Sequence, residues 1–304
     1  METSASTGNP LVILNPMANR GNMKAYQKLL PQYITQYHAE YRETRLPGHA
    51  KDLAQQAAMA NREVIVVGGD GTIHEVVNGL LTTGRRVPLG IVAAGSGNDF
   101  ACNTLKLPRQ PEQAIERAFN GHLTSVDAGR VNDTYFANGF SIGMDAEIGA
   151  LTNHMKNIPL MSGANLYYVA ALRKLLFGFQ NCPWLTYRID DGVVEQLIEK
   201  RYVLIAVTNG PAYGAGFYIN PKADYADGLL DVCVVDYMPL WRVLQLFPGV
   251  KKGQHIYERG VTFYRARSIH IESKRPVTLQ ADGEEARVTS VDAEILPGAL
   301  WIRI

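Results

Sequence analysis

Short runs of β-branched and other apolar residues alternate with segments of helical periodicity along the first third of the chain. The apolar runs are LVILNP (11–16), EYRETRL (40–46), EVIVVGG (63–69) and VPLGIVAAG (87–95), and the helical segments are KAYQKLLPQYITQY, HAKDLAQQAAMAN, TIHEVVNGLL and PEQAIERAFNG. Strands separated by helices of this length predict βαβ units and a mostly parallel sheet with both faces covered. Pro31 lies within the first helical segment, so we expect that helix to be interrupted or to begin anew there.

The pattern changes after about residue 122, where short strands become dominant. The strand segments are SVDAGRV, TYFANGFSIG, WLTYRID, VVEQLIEKRYVLIAVTN, LLDVCVVDY, SIHIES, PVTLQAD and ALWIRI. Alternating patterns bounded by turn dipeptides such as Asn132-Asp133 predict a mainly antiparallel β-sandwich, which helical patterns near 163–180 and 239–247 interrupt. The sequence therefore predicts an α/β domain over residues 1–128 and a β-rich domain over residues 129–304.

Composition narrows the class of protein. The 304 residues are 46% hydrophobic and 19% charged, which is typical of a globular chain, and the formal net charge of +1 gives no field that would attract nucleic acid. The three cysteines are widely spread, which indicates reduced, mostly buried thiols in a cytoplasmic protein. METSASTGNP lacks the signal-peptide pattern, and no apolar run approaches the ~18 residues that span a bilayer. A protein of this kind would reach lipid only from the membrane surface.

The stretch VVGGDGTIHEVVNGLL (66–81) places three glycines and an acid between a strand and a helix. Such a turn is suited to bind an anion, because amides of the loop and of the first helical turn point outward. Gly68, Gly69 and Gly71 would let the backbone approach a phosphate without Cβ obstruction. Asp70 suits a divalent metal or a hydroxyl donor. The alternative, a plain strand-to-helix turn, needs one glycine rather than three.

The start of that helix and the motifs missing from it refine the prediction. Thr72 suits the N-cap position, and Glu75 lies three residues later, where a capping box would place it. The chain has neither the P-loop G-x-x-x-x-G-K-[ST] nor G-x-G-x-x-G in this turn, and the loop carries no lysine. The charge of a nucleotide must then be met by backbone dipoles, a cation or residues elsewhere.

A second glycine turn, AAGSGNDFA (93–101), follows the buried run LGIV. Ligands of open α/β sheets bind beyond the carboxyl ends of the strands, so we expect the turns at Asn15, Gly68 and Gly95 to converge. The alternative for Ser96 to Asp99 is an Asx-type turn that caps the next helix, and both interpretations can hold together.

With these motifs in view, the chain resembles the soluble diacylglycerol kinase catalytic family, which includes bacterial lipid kinases and sphingosine kinases. The resemblance rests on ILNPMANRG, GGDGTIHEVVNGLL, GIVAAGSGNDFA, VDAGRVNDTYFANGFSIGMDAEI, NPKADYADGLLDVCVV and LQADGEE, in that order. GGDGT alone is shared with NAD kinases and resembles a phosphofructokinase turn. The resemblance implies an N-terminal nucleotide domain, a β-rich lipid-substrate domain and an active site in the interdomain cleft.

The resemblance also implies roles for individual residues. The nucleotide-contacting positions are Asn15, Thr44, Gly68, Gly69, Asp70, Gly71, Thr72 and Ser96. Asp227 is implied as a Mg²⁺ ligand together with the main-chain carbonyls of Asp224 and Leu229. Glu284 is implied as the general base, with Asp70 as a second catalytic residue, and Asp145 as a neighbour of the acceptor headgroup. His74 stands where many bacterial members have asparagine.

Chemistry agrees with these roles, although the residues alone leave alternatives open. Phosphoryl transfer needs positioning, charge neutralisation and a carboxylate that accepts the proton of the hydroxyl. Without the resemblance, Glu284 and Asp227 would each be read as acids at an Asp-Gly hairpin turn. We expect an ATP-dependent kinase that phosphorylates a membrane lipid alcohol such as diacylglycerol, giving phosphatidic acid. The alternatives are an NAD kinase-like transfer to a soluble acceptor and a nucleotide-binding lipid sensor without turnover.

Two apolar segments, NLYYVAALRKLLFGF and MPLWRVLQLF, suggest contact with a membrane surface. Apolar residues at near-helical spacing are Leu166, Val169, Leu172, Leu176 and Phe179 in the first segment, and Leu240, Leu244 and Phe247 in the second. The alternative is that both stripes pack on the sandwich. We expect a cytoplasmic, peripherally membrane-associated protein and, because the second domain could expose a strand edge, a possible homodimer. His255 and His270 show no partner spacing and are predicted to be surface or structural residues.

Overall fold

A computed structural model describes residues 8–155, 163–190, 193–214 and 216–304. The chain divides into two compact units. Unit 1 extends to Ala128 and includes Gly298–Ile304, and unit 2 is Gly129–Pro297. The first seven residues, which belong to the segment tested for a signal peptide, lie outside the described residues.

Unit 1 alternates strands and helices, as the sequence predicts. Its elements are β1 (Gly8–Leu14), α1 (Lys24–Gln36), β2 (Glu40–Glu43), α2 (His49–Met59), β3 (Arg62–Gly68), α3 (Asp70–Thr82), β4 (Pro88–Ala93), α4 (Pro111–Asn120) and the first part of β5 (Leu123–Val131). Strand β1 lies between β2 and β3, β3 pairs with β4, and all three pairs are parallel. The β-branched run of β3 is buried on both faces, which explains why its sequence does not alternate.

The prediction of an interruption at Pro31 is wrong, because α1 continues through it from Lys24 to Gln36. A proline inside a helix loses one backbone hydrogen bond and crowds the preceding turn. Here the helix is held by packing on both sides of the proline. Leu30 is fully buried, and Tyr33 and Ile34 pack against the same core cluster.

The last residues of the chain belong to unit 1, whereas the sequence assigned all of residues 129–304 to the second domain. Strand β13 (Glu284–Arg303) ends beside β4, with Trp301 opposite Pro88 in parallel register. His122 and Ile304 exchange two main-chain hydrogen bonds of 3.2 and 2.9 Å. This pairing is between residues far apart in the chain. The sequence of the segment ALWIRI does not indicate which strand it pairs with.

Unit 2 combines antiparallel strands with three helices in its described residues. They are β6 (Thr134–Phe136), β7 (Gly139–Gly143), α5 (Met144–Met155), α6 (Gly163–Phe177), β8 (Trp184–Ile189), β9 (Val194–Thr208), β10 (Leu230–Asp236), α7 (Leu240–Val250), β11 (Val261–Ala266), β12 (Ser268–Ala281) and most of β13. The strands follow the order β11-β10-β9-β7-β12-β13, while β8 pairs with β9 and β12. The β5–β6 hairpin turns at Asn132, whose φ of 49° is left-handed.

Two apolar clusters stabilise unit 2. One lies among the strands and contains Phe136, Phe140 and Tyr202. The other joins the three helices to β9 and β10 through residues such as Met144, Leu175 and Val243. Within the part of the chain that the structure describes, none of the helices combines the length and apolar character needed to cross a membrane.

Candidate active site

Three loops of unit 1 meet at the carboxyl ends of its parallel strands. The Asn15 amide donates to the Val67 carbonyl at 3.0 Å, and the Ala94 amide donates to the Gly68 carbonyl at 2.8 Å. The Thr44 amide bonds to the carbonyl of the last residue of β1 at 2.9 Å. The predicted convergence of the loops at Asn15, Gly68 and Gly95 is therefore confirmed, and Thr44 joins them.

Glycine is required here because the two glycine turns touch. A Cβ atom on Gly95 would lie 2.6 Å from the Cα of Gly69, and one on Gly97 would lie 2.8 Å from Oδ2 of Asp70. A Cβ atom on Gly68 would lie 2.7 Å from that of Thr72. These glycines are explained by loop packing, which the sequence analysis did not consider. Gly71 is exposed, so its backbone is accessible to a ligand.

Asp70 joins the two turns. It is the first residue of α3, and its Oδ2 atom accepts the Asn98 amide at 2.7 Å. Asn98 has a left-handed φ of 58°, and its side chain makes hydrogen bonds of 2.9 and 2.8 Å with the amide and carbonyl of Gly95. The predicted Asx-type cap is wrong, because Asn98 precedes the helical turn Asp99–Thr104 without a side-chain cap, and its side chain bonds back to Gly95 instead. Asp70 has a structural role whatever else it does.

The predicted capping of α3 by Thr72 and Glu75 is wrong. The N-cap is Gly69, and Thr72 lies inside the first turn, where its hydroxyl accepts the side-chain amide of Asn15 at 2.9 Å. Glu75 instead accepts the amides of Gly48 and Ala50, at 2.9 and 3.0 Å. Those amides belong to the start of α2, which packs against α3, so Glu75 caps a neighbouring helix.

The remaining groups of this loop cluster suit an anion. The first amides of a helix have no acceptor within the helix, and they carry the positive end of its dipole. At α3 these amides belong to Asp70, Gly71 and Thr72. Two hydroxyl groups lie on loops of the same sheet edge. That of Ser96 is exposed, and that of Thr44 is half-buried. Hydroxyls and helix-terminal amides together can bind phosphate oxygens.

His74 lies within α3 rather than on the loop surface. It is buried, and its Nε2 atom lies 3.2 Å from Nδ2 of Asn78. This contact gives His74 a packing role inside the helix.

In unit 2, the residues implied as Mg²⁺ ligands lie in the loop before β10. Oδ1 of Asp227 accepts the Leu229 amide at 3.0 Å, and Oδ2 accepts a hydrogen bond from the guanidinium of Arg265. Oδ1 of Asp224 accepts the Ala226 amide at 3.1 Å. Among the residues that the structure describes, no three His, Cys, Asp or Glu side chains are grouped as a metal site. A cation here would therefore need main-chain carbonyls, as the resemblance implies.

Asp231, which the sequence analysis missed, supports a cation at this loop. It is buried, and its Oδ2 atom has no hydrogen-bond partner. The pKa of Asp231 is raised to about 6, chiefly by burial and also by the charges of Asp227 and Asp224, although Arg265 lowers it in part. A cation would relieve this excess of negative charge. Oxygen donors are those that Mg²⁺ prefers, so the residues present fit the ion.

Glu284 is the first residue of β13 and is exposed. It follows a two-residue turn in which Asp282 and Gly283 have left-handed φ values of 47° and 96°. The hairpin interpretation of ADGEE is therefore correct for the backbone. The Asp282 carboxylate accepts the Ala137 amide at 2.7 Å and the Gly139 amide at 3.0 Å, which fixes the hairpin to the start of β7. No pattern in the sequence predicts this contact.

Asp145 lines a cavity whose walls are otherwise mostly apolar. It lies at the start of α5 and is only 7% exposed. Apolar side chains such as Ile148, Phe217 and Phe247 line the same cavity. Burial raises the pKa of Asp145, and a hydrogen bond from the Tyr213 hydroxyl to Oδ2 lowers it in part. The other oxygen, Oδ1, has no hydrogen-bond partner among the described residues.

The apolar stripe of α6 is divided between core and solvent. Leu166 and Leu175 are buried, whereas Leu172 is 54% exposed and Leu176 is 50% exposed. Val169 is also exposed, one turn before Leu172. The interpretation that the whole stripe packs in the core is therefore wrong for these three positions. The side chain of Tyr167 lies outside the described residues.

Helix α7 shows a similar division. Trp241 is 61% exposed and Leu244 is 40% exposed, while Phe247 packs at 5.2 Å from the ring of Phe217. Lys251 follows α7, and its ammonium lies 5.0 Å from the ring centre of Tyr168 on α6. The two helices therefore join in one partly exposed surface with a basic residue within it.

Comparison with known proteins covers nearly the whole chain. Residues 9–131 match the model of the diacylglycerol kinase catalytic domain, and residues 138–304 match that of the YegS C-terminal NAD kinase beta sandwich-like domain. A diacylglycerol kinase of Mycobacterium tuberculosis (strain CDC 1551 / Oshkosh) is 29% identical over 82% of this chain and 79% of its own length. A diacylglycerol kinase of Bacillus subtilis (strain 168) is 28% identical over 90% of this chain and 88% of its own.

Solved structures agree with this assignment. A crystal structure of a protein from Bacillus anthracis str. Sterne is 26% identical, has a TM-score of 0.77, and covers 99% of this chain and 98% of its own. A diacylglycerol kinase from the same strain has a TM-score of 0.73 over the same shares at 24% identity, which shows the fold.

The matches over the two units define a kinase that acts on an alcohol group. The chain belongs to the diacylglycerol kinase catalytic family, and it is a lipid kinase. This membership favours the lipid kinase interpretation over the NAD kinase-like transfer and over the sensor without turnover.

Proposed function

We propose that this kinase transfers the γ-phosphoryl group of ATP to the hydroxyl of a membrane lipid alcohol similar to diacylglycerol, giving a phospholipid such as phosphatidic acid. The observation that carries the proposal is a buried carboxylate with one unpaired oxygen on the wall of an apolar cavity, at Asp145. An apolar cavity suits an acyl chain, and a buried carboxylate among its few polar groups suits a hydroxyl headgroup. A soluble acceptor such as NAD would need many more polar partners.

ATP would bind at the loop cluster of unit 1. The amides of Asp70, Gly71 and Thr72 would meet phosphate oxygens, and the hydroxyls of Thr44 and Ser96 would add hydrogen bonds. Asn15 holds Thr72 by its side chain, so it would position the first turn of α3. Gly68 and Gly69 would contribute indirectly. Because they have no Cβ atoms, the turns can pack closely in the arrangement that leaves these amides exposed.

Mg²⁺ would be held in unit 2 by the Asp227 carboxylate and by the main-chain carbonyls of Asp224 and Leu229. When bound there, Mg²⁺ would supply positive charge that offsets the negative charge developing on the phosphate oxygens. In the structure, the guanidinium of Arg265 is hydrogen-bonded to Oδ2 of Asp227. The arginine would have to release this oxygen for it to bind the ion. The phosphate-binding groups would come from unit 1, and the metal-binding and basic groups would come from unit 2.

The acceptor hydroxyl must lose its proton as the new P–O bond forms. Glu284 is exposed, so its carboxylate is accessible to a substrate. We propose Glu284 as the base that accepts this proton. Asp145 would orient the headgroup from the wall of the cavity.

The magnesium assignment gives a prediction that does not depend on turnover. Replacing Asp227 with asparagine is expected to weaken Mg²⁺ binding about tenfold or more, because a charged ligand is lost. The measurement is the rise in melting temperature as Mg²⁺ is titrated into the purified protein. Asp236→Asn, at the other end of β10, is the control and should leave the titration unchanged. Equal Mg²⁺ responses in wild type and Asp227→Asn would remove Asp227 from the site.

The exposed apolar residues of α6 and α7 favour peripheral binding to a membrane. Leu172→Glu and Leu244→Glu are each expected to lower association with anionic vesicles by about fivefold or more, because a charge replaces an inserted apolar side chain. Flotation of the protein with vesicles measures this association. Leu123→Glu replaces an exposed leucine of unit 1 and is the matched control. Unchanged flotation of both variants would argue against docking through these helices.

The proposed reaction is tested by incubating the purified protein with γ-labelled ATP, Mg²⁺ and a panel of membrane lipids, with NAD in a parallel reaction. The expected result is label in a lipid extract and none in NADP. Label in NADP alone, or in no product from a protein that binds ATP, would overturn the proposal.

A further inference from the structure

A second buried polar atom on the wall of the apolar cavity has no assigned role. His255 lies in the short helical segment Gln254–Tyr257 that follows α7, and it lines the same cavity as Asp145. The residue is only 2% exposed, so the expectation of a surface histidine is wrong. A structural role explains the contact of only one of its two ring nitrogens.

The hydrogen-bond partner of one ring nitrogen determines what the other can do. Nε2 lies 2.9 Å from the Ile219 carbonyl oxygen, which can only accept, so Nε2 carries the hydrogen. Burial lowers the pKa of His255, which keeps the imidazole neutral. Nδ1 is therefore a hydrogen-bond acceptor. It is buried and has no partner among the described residues.

The ring is held in this orientation from two sides. The Ile219 carbonyl fixes Nε2, and the ring of Phe263 packs against the imidazole at 5.6 Å between centres. A buried acceptor without a partner is costly, and a fixed ring cannot turn to find one. A donor brought by a ligand would remove that cost. Asp145, which lines the same cavity, has a second such acceptor, Oδ1.

Two unpaired acceptors on residues that line one cavity restrict the chemistry of the ligand. Diacylglycerol has one hydroxyl, and its ester groups can only accept hydrogen bonds. That hydroxyl is the group that reacts and gives its proton to Glu284, so diacylglycerol brings no second donor for Nδ1 of His255. A lipid with a second hydroxyl or an amide N–H could donate to Nδ1 while its chain fills the apolar space.

We propose that the cavity selects lipid alcohols that carry at least two hydrogen-bond donors, one of which is donated to Nδ1 of His255. This inference rests on the proposed function, because it concerns the acceptor lipid of the same reaction. His255 is then a specificity-determining residue for a polyhydroxylated or amide-bearing lipid, and diacylglycerol is a poorer substrate than such a lipid.

The test compares two lipids that differ in one donor. The first is a 1-O-alkylglycerol, which has two hydroxyls, and the second is its 2-O-methyl ether, which keeps the chain and the primary hydroxyl. Wild type is expected to prefer the diol by about tenfold or more in kcat/KM, because the ether leaves a buried acceptor unpaired. The same preference is expected in binding, measured by displacement of a fluorescent lipid without ATP.

Two variants connect this preference to His255. His255→Gln keeps an N–H that can reach the Ile219 carbonyl but has no acceptor where Nδ1 lies. His255→Phe keeps the bulk of the ring. Both are expected to bind the diol and the ether about equally, whereas Val250→Ala, which trims an apolar residue of the same cavity, should keep the wild-type ratio.

The outcomes separate this inference from the proposed function. Equal affinity of wild type for the two lipids would overturn it, as would a full preference retained in His255→Gln, and the first of these needs no variant to fold. Absence of phosphoryl transfer to any lipid would instead overturn the proposed function, while the binding comparison would still test the role of His255.

Discussion

Replacing Glu284 with glutamine is expected to lower kcat by about 100- to 10,000-fold, because the amide cannot accept the proton of the acceptor hydroxyl. Glutamine has nearly the same size, and Glu284 is exposed at a hairpin turn, so the fold should be unchanged. ATP affinity should stay within about twofold, since the proposed nucleotide contacts lie in unit 1. Transfer of labelled phosphate to lipid measures kcat, and equilibrium binding measures the affinity.

The next residue of the hairpin provides a matched control. Glu285 is also an exposed acid, and successive side chains of a strand point to opposite faces. Glu285→Gln is therefore expected to keep kcat within about threefold of wild type. Wild-type turnover in Glu284→Gln, or an equal loss in both variants, would remove Glu284 as the base.

Asp70 offers the second large effect, because its structural and chemical roles can be separated. Asp70→Asn retains an oxygen that can accept the Asn98 amide, so the two glycine turns should stay joined. It removes the charge that would attract a metal or a hydroxyl donor. We expect kcat/KM to fall by about 100-fold or more while the melting temperature stays within about 2 °C.

Asp70→Ala removes both the charge and the hydrogen bond between the turns. We expect the same loss of activity and, in addition, a fall of several degrees in melting temperature, because the buried Asn98 amide loses its acceptor. Asp52→Asn removes an exposed charge at the start of α2 and should change neither quantity. Full activity in Asp70→Asn with reduced stability in Asp70→Ala would leave Asp70 with the structural role alone.

Local patterns were sufficient to predict much of this fold. The buried runs of β1, β3 and β4 and the helices between them follow from hydrophobic periodicity, which is set by each segment itself. The meeting of the Asn15, Gly68 and Gly95 turns also follows, because loops at the carboxyl ends of parallel strands share one edge.

Features that depend on distant partners could not be predicted. Glu75 stands where a capping box would place it, yet its carboxylate reaches α2, and only the packing of α2 on α3 decides this. The return of Gly298–Ile304 to unit 1 depends on a strand pairing across the chain. Pro31 is tolerated in α1 because the helix is held by tertiary packing.

The site residues of unit 2 show the same limit. Asp231 lies within the motif NPKADYADGLLDVCVV and His255 lies outside the quoted motifs, but the chemistry of both comes from burial and from one unpaired atom each. Sequence patterns show which residue types are present, but they do not show whether a polar atom has a partner. The roles of Asp145, Asp227 and Glu284 remain predictions that rest on family resemblance and on the geometry described above.

The most direct test of the account is a single-turnover experiment with the protein in excess over γ-labelled ATP, in the presence of Mg²⁺ and vesicles that contain the acceptor lipid. The account predicts that label leaves ATP and enters the extracted lipid at the same rate, with none attached to protein. Label recovered on the protein, or only as inorganic phosphate, would contradict direct transfer from ATP to a lipid hydroxyl.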